Sequence, residues 1–253
     1  MLQILKRIIK KAANLFGYRI VKIDNSDPVM DKDKQFQIIY MQCKDYTMTS
    51  KERMYALYMA VKYIVNAKIP GDFIECGVWK GGSTMLIALT LLEMEGTKRQ
   101  IYLYDTFEGM SKPTEVDTLV SDKAVRAISK WKNKQKEGIN EWCLSSLSEV
   151  KNNMCLTKYP KDNMIFVKGK VEETVPKTIP EKIALLRLDT DWYESTKHEL
   201  KHLFPLVAKM GVVIIDDYGY WLGSKKAVDE YVANNPMLLN RVDRSARIGI
   251  KME

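Results

Sequence analysis

Two stretches limit most severely what this chain can fold into: Ala184-Leu-Leu-Arg-Leu-Asp-Thr-Asp-Trp-Tyr-Glu-Ser-Thr196 and Gly211-Val-Val-Ile-Ile-Asp-Asp-Tyr218. Each is a short apolar run that ends in carboxylates. In an open α/β sheet that pattern describes a buried strand carrying acids to its C-terminal edge, where ligands bind. Asp189, Asp191, Asp216 and Asp217 are therefore expected to meet at one sheet edge. Acids so clustered repel one another unless a cation or a shared proton compensates. A hard divalent ion such as Mg²⁺, which takes oxygen ligands and leaves positions open for a substrate, is the economical compensation. The competing reading is that one or two of these acids only cap the helices that follow.

The rest of the chain supports a doubly wound sheet. Of its 253 residues 46% are apolar, enough for a sizeable core, and no Pro- or Gly-rich linker interrupts the alternation of strand and helix patterns. Residues 47–253 are read as one domain and residues 1–46 as an N-terminal extension. Ser50 or Thr49 starts a helix whose apolar stripe is Met54, Leu57, Tyr58, Val61 and Ile64. Gly71-Asp-Phe-Ile-Glu-Cys-Gly-Val-Trp-Lys-Gly-Gly-Ser-Thr84 is a strand breaking into a glycine-rich turn and then a helix from about Ser83 to Glu93. Its glycines let backbone approach a ligand, and the helix start offers free N–H groups. The spacing is neither G-x-G-x-x-G nor a P-loop, which argues against a nucleoside triphosphatase and against a nicotinamide dehydrogenase.

Asp105 ends the next strand, Ile101 to Asp105, where an acid can accept hydrogen bonds from both hydroxyls of a ribose. Ser111 to Asp162 is expected to be mainly helical and to shape substrate access. Further strands are expected at Met164–Lys168, Ile183–Asp189, Val212–Asp216 and Arg247–Lys251. Helices are expected from about Glu194 to Lys209 and from Lys225 to Ala233, and a loop over Asp24–Lys34.

The motifs Glu75-Cys-Gly-Val-Trp-Lys-Gly-Gly-Ser83, Tyr104-Asp-Thr-Phe-Glu-Gly-Met110, Leu188-Asp-Thr-Asp-Trp-Tyr-Glu-Ser-Thr196 and Ile215-Asp-Asp-Tyr218 resemble, in that order and spacing, the macrocin O-methyltransferase (TylF/MycF) family. The resemblance covers residues 47–250. It implies a class I, Rossmann-like S-adenosylmethionine methyltransferase fold, a mostly parallel seven-stranded sheet with an antiparallel last strand. It further implies S-adenosylmethionine and Mg²⁺ as cofactors and methylation of a sugar hydroxyl in a glycan or glycosylated metabolite. Carried over by position, Glu75, Gly77 and Ser83 border the methionine part of the donor, Asp105 holds the ribose, and Gly169 to Glu172 flank the adenine. Asp189, Asp216 and Asp217 match the metal ligands and Asp191 the general base. Which of Asp189 and Asp191 is ligand and which is base stays open. Two residues apart, they fall on the same face of an ideal strand's alternation only if the strand continues, and a turn beginning at Thr190 would change where Asp191 points.

Other readings are weighed against this one. A catechol-type O-methyltransferase also uses a metal and vicinal oxygens. A non-catalytic cofactor-binding partner in glycan assembly would have no reason to keep four costly acids together. His198-Glu-Leu-Lys-His202 satisfies the H-E-x-x-H pattern of a zinc peptidase, but by helical angle both histidines lie opposite Leu200 on a polar face, and a solvated face is the preferred reading.

Charge and cysteine content bound the partners. The formal charge of +8 would permit contact with nucleic acid or an anionic membrane. The Lys-rich stretch from Lys123 to Lys136 carries no RNA-binding signature, and no nucleic-acid partner is expected. Met1 to Phe16 places Leu5, Ile8, Ile9, Ala12, Leu15 and Phe16 at helical spacing beside four basic residues. That suits peripheral membrane contact through residues 1–23 or, by preference, docking on the domain or a second copy in a homo-oligomer. Cys43, Cys76, Cys143 and Cys155 lack C-x-x-C spacing and no cleavable signal precedes them, so the expected location is the cytoplasm.

Overall fold

The computed structural model describes residue 9, residues 11–18 and residues 27–253. Its contacts divide at Lys34/Gln35 into an N-terminal unit and a unit of residues 35–253. In the first unit residues 11–15 are helical, and Pro28–Lys32 forms a short helix where a loop was expected. Asp27 caps it, its Oδ1 accepting from Val29 N at 2.9 Å and Met30 N at 3.2 Å, the Asp-Pro pairing that favours a helix start. Much of the stretch invoked for membrane contact or docking lies outside the described residues. Among the described residues no helix is long and apolar enough to cross a membrane.

The second unit runs α1 (Lys34–Cys43), α2 (Lys51–Asn66), β1 (Asp72–Cys76), α3 (Gly82–Met94), β2 (Ile101–Asp105), α4 (Ala127–Asn133), β3 (Gln135–Lys136), β4 (Ile139–Asn140) and α5 (Leu147–Cys155). It continues with β5 (Met164–Lys168), α6 (Val171–Thr174), β6 (Ile183–Leu188), α7 (Tyr193–Leu203), β7 (Val207–Ile215), α8 (Leu222–Asn234), β8 (Leu239–Arg241) and β9 (Arg247–Ile250). The seven-stranded sheet has the order β5-β2-β1-β6-β7-β9-β8. The five strands from β5 to β7 are parallel, whereas β9 runs antiparallel to both β7 and β8. Chain order reverses between β1 and β6, so a crevice opens there beyond the strand ends, the usual ligand site of such sheets.

Period-two alternation sorts the strand residues between two faces. Ile74, Cys76, Leu186, Leu188, Val213 and Ile215 join Leu200 and Leu203 of α7 and Val228 of α8 in one buried cluster. Glu75 and Arg187 fall on the opposite face, toward α2, whose predicted stripe Met54, Leu57, Tyr58, Val61 and Ile64 is buried.

Three expectations fail for local reasons. Helix α7 ends at Leu203 rather than Lys209, because Pro205 breaks it and strand β7 has already begun at Val207. That strand starts five residues earlier than expected, with Met210 at φ +65° beside an irregular register. The excursion from Ser111 to Asp162 is mostly irregular. It holds only α4, α5 and a hairpin of β3 and β4 turned by Glu137 (φ +50°) and Gly138 (φ +86°), the left-handed pair a two-residue hairpin requires.

The turn after β1 is held by Gly77, at φ +84°, where a Cβ would sit 2.0 Å from the Asp189 carbonyl oxygen. Strands β1 and β6 can deliver their ends side by side only because that position has no side chain. Gly77→Ala is expected to destabilise the fold by about 2–5 kcal/mol from left-handed strain and overpacking, lowering the thermal midpoint by about 5–15 °C. A midpoint within about 2 °C of wild type by thermal denaturation would refute this close approach.

Candidate active site

Parallel register sets Glu75 of β1 directly beside Arg187 of β6. Arg187 is only 3% exposed. Its Nη1 donates to Glu75 Oε1 at 2.5 Å and lies 2.8 Å from Asp189 Oδ2, while Nη2 donates to Asp216 Oδ1 at 2.7 Å. One guanidinium thus ties together the ends of β1, β6 and β7. Arg53, on the first turn of α2, extends the network by donating to the second oxygen of Asp216 and, through Nε, to Asp243 Oδ2 at 2.7 Å. Ser50 fixes that arginine, its Oγ accepting from Arg53 N at 3.2 Å as the helix cap. A buried guanidinium is tolerated only with hydrogen-bonded carboxylates around it. Sequence reasoning missed both arginines. The available signal for Arg187 was a lone charge inside the apolar run of β6, two residues before Asp189 and so on the same face.

The four predicted acids converge. Asp189, Asp216 and Asp217 each offer a carboxylate oxygen within 4.8 Å of the others. Asp191 and Asp217 share a side-chain hydrogen bond. Burial holds Asp189 and Asp217 well above the usual carboxylate range, and pushes Asp191 up to about 7. The arginines compensate part of the charge that a cation or a shared proton was expected to offset. With Glu75 and Asp243 included, six carboxyl groups still face two guanidiniums. An all-oxygen, charge-excess set of this kind fits a hard divalent cation.

The backbone sets the direction in which Asp191 points. Strand β6 ends at Leu188, Trp192 N donates to Thr190 O at 2.8 Å, and Asp191 takes φ +68°. This three-residue turn swings Asp191 toward Asp217. A non-glycine residue held left-handed costs about 1–3 kcal/mol and is characteristic of functional sites.

The remaining predicted residues line the same crevice. A cavity of about 340 Å³ is lined by Glu75, Gly77, Ser83, Asp105, Asp189, Asp191, Asp216 and Asp217, among others. An adjoining recess shares Gly77, Asp105 and Asp189 with it and adds Gly169 and Glu172. Asp105 is engaged by the protein itself. Its Oδ2 accepts from Val78 N at 2.7 Å and Trp79 N at 3.1 Å, and its Oδ1 from Phe107 N at 2.8 Å. Glu75 is likewise occupied, by Arg187 and the Thr84 hydroxyl, so that it forms wall rather than free acceptor. Ser83 Oγ contacts Met54 Sδ at 3.9 Å.

Opposite the glycine turn the wall is aromatic and basic: Trp142, Tyr220, Trp221, Lys130 and Arg244. Lys130 Nζ sits 4.0 Å over the Trp142 ring. None of these was anticipated, since they come from the excursion after β2, the loop after β7 and the β8–β9 connection. The H-E-x-x-H residues lie apart. His198 Nε2 meets Val175 O at 2.9 Å, whereas Glu199 is fully buried and faces Thr190. Among the described residues, the group able to hold a metal is Asp189, Asp216 and Asp217.

The sequence model of the family described as Macrocin-O-methyltransferase (TylF) matches residues 7–247, reaching further toward the N-terminus than the motifs alone. Demethyldecarbamoylnovobiocin O-methyltransferase of Streptomyces niveus is 30% identical over 74% of this chain and 68% of its own length. Mycinamicin III 3''-O-methyltransferase of Micromonospora griseorubida is 29% identical over 74% of this chain and 70% of its own. A tetracenomycin-C 4'-O-methyltransferase of Streptomyces olivaceus, whose named substrate carries a dimethoxyrhamnosyl group, is 31% identical over 68% of this chain and 62% of its own. The solved structure of the O-methyltransferase NovP superposes with a TM-score of 0.71 at 28% identity, over 82% of this chain and 83% of that one.

Arg187→Met would leave Glu75, Asp189 and Asp216 without their shared cation. It is expected to cost about 3–5 kcal/mol in urea unfolding at pH 8. Glu75 and Asp189, already raised by burial, would hold protons to still higher pH without the guanidinium, so the deficit should shrink as pH falls and they neutralise. A deficit that does not change with pH would show that Arg187 contributes only bulk.

Proposed function

The chain belongs to the macrocin O-methyltransferase (TylF) family, and on that premise we propose that it methylates a sugar hydroxyl with S-adenosylmethionine as donor and Mg²⁺ at Asp189, Asp216 and Asp217. It is an S-adenosylmethionine-dependent sugar O-methyltransferase of class I fold. The observation that carries the metal and its place is the convergence of three carboxylates, two buried and one partly buried, within 4.8 Å at the switch point, beside the glycine turn.

When bound, S-adenosylmethionine supplies the methyl group, and Mg²⁺ orients neighbouring acceptor oxygens and lowers the pKa of the hydroxyl. The protein's own residues do the rest. Gly77 and the Asp105-anchored turn of Val78 and Trp79 form the donor's bed, with Gly169 and Glu172 in the recess beyond. Ser83, buried at the start of α3, closes its far end. Arg187 and Arg53 hold Asp216 from both sides, and Arg187 also holds Asp189, so the carboxylates stay aimed without rearranging.

Asp191 stands as the general base. Its left-handed turn brings it to the carboxylate cluster, and a carboxyl raised to about 7 is a far better proton acceptor than an ordinary aspartate. Tyr220, which lines the cavity and is 38% exposed, offers a flat apolar face with a polar edge, suited to the C–H face of a pyranose. Holding the acceptor oxygen in line with the donor methyl is itself worth several kcal/mol.

A screen of nucleotide sugars and glycosides should find methyl acceptance that EDTA abolishes and Mg²⁺ restores. Donor binding by titration without acceptance of any sugar would sink the reading. Asp191→Asn is expected to lower kcat by about 10²–10⁴-fold while donor affinity holds. Since the base must be ionised, kcat/KM in wild type should rise with pH through a group titrating at or below about 7 and level off above it. An unaltered pH limb in Asp191→Asn would reassign the base. Each protonated acid near the metal site competes with a cation, so Mg²⁺ should raise the thermal midpoint more at pH 8 than at pH 5.5.

A further inference from the structure

Glu199 belongs to the motif that the function leaves unused, and it is fully buried with no cationic partner among the described residues. From α7 it reaches under the sheet edge. The Thr190 hydroxyl lies 3.0 and 3.1 Å from its two oxygens, and the Cys76 side chain neighbours the same carboxyl. Cys76 is the last residue of β1, immediately before Gly77. Thr190 is the residue between Asp189 and Asp191. Its carbonyl is held as well, accepting from Trp192 N at 2.8 Å and Ser195 Oγ at 3.3 Å. A turn that keeps Asp191 left-handed is therefore clamped at both ends of its first residue, and the clamp on the hydroxyl is one side chain that also neighbours the root of the donor turn.

We propose that Glu199 is a positioning residue: by holding the Thr190 hydroxyl from beneath, beside Cys76, it sets the separation and orientation of Asp189 and Asp191 relative to the donor turn. The proposal rests on the assignment of Asp189 as a metal ligand. A buried carboxyl exacts a desolvation cost, offset only where its hydrogen bonds fix something that apolar packing would not. Valine in place of Thr190 would preserve shape and remove the hydroxyl. Leucine in place of Glu199 would fill the space and hold neither strand end.

The test is Mn²⁺ binding to the full chain, by titration calorimetry with no sugar present, Mn²⁺ being suited to an all-oxygen site. Groups that orient a ligand from behind usually contribute 10- to 100-fold in affinity, so Thr190→Val and Glu199→Leu should each weaken Mn²⁺ binding by about that factor, while Thr190→Ser and Glu199→Gln stay within about threefold of wild type. Mn²⁺ affinity in Thr190→Val equal to wild type would overturn the proposal, as would an equal loss in Thr190→Ser. Should Glu199→Leu fail to fold by circular dichroism, the Thr190 pair decides alone. Wild type that binds Mn²⁺ and donor but methylates no sugar defeats the proposed acceptor and leaves this inference standing. Wild type without Mn²⁺ affinity defeats both.

Discussion

A single buried guanidinium organises the catalytic edge. Arg187 contacts carboxylates from three adjacent strands, Glu75, Asp189 and Asp216, at a depth where unpaired charges of either sign would be prohibitive. In that low-dielectric setting the attraction is strong and directional, so the planar fork of arginine decides where each acid points. Lysine could not do the same with one point charge. The arrangement also leaves an excess of negative charge facing the crevice, as a site for a divalent cation requires.

The sheet topology explains why this happens here. Chain order reverses between β1 and β6, so their ends diverge into separate loops and a crevice forms between them. The β1 loop is the glycine turn, its Val78 and Trp79 amides held by Asp105, and the β6 loop is the acid turn, its Thr190 hydroxyl held by Glu199. Gly77 is where the two touch, against the Asp189 carbonyl. The glycine turn and the acid turn are consequently not independent devices, since a shift in one is transmitted by a backbone contact to the other. The facing wall is built differently, from aromatic and basic side chains on irregular connections, and such segments are free to vary without disturbing the sheet.

Much of the site could be read before any coordinates. Apolar runs ending in Asp189, Asp191, Asp216 and Asp217 already specified buried strands delivering acids to one edge, and the glycines after Glu75 already specified a tight turn between strand and helix. The partners of those acids could not be read. Arg187 looked like an anomaly within a strand, because only the β1–β6 register places it beside Glu75, and Arg53 is remote in sequence from everything it holds. Helical periodicity misled in the stretch after Ser111, where α4 and α5 occupy a minority of the residues, and in α7, where proline overrode the pattern.

What the sequence by itself determined was six of the seven strands of the main sheet with α2, α3, α7 and α8, the identity of the acids and the glycine demanded by a crowded turn, because these follow from local patterning and sterics. Tertiary structure alone decided which carboxylates are held by arginine and which face the crevice, that Asp191 turns toward Asp217, and that the glutamate of an apparent zinc motif is buried against Thr190. Each of those depends on strand register and on burial, and the energy of a charge is set by what surrounds it in space, not by what adjoins it in the chain.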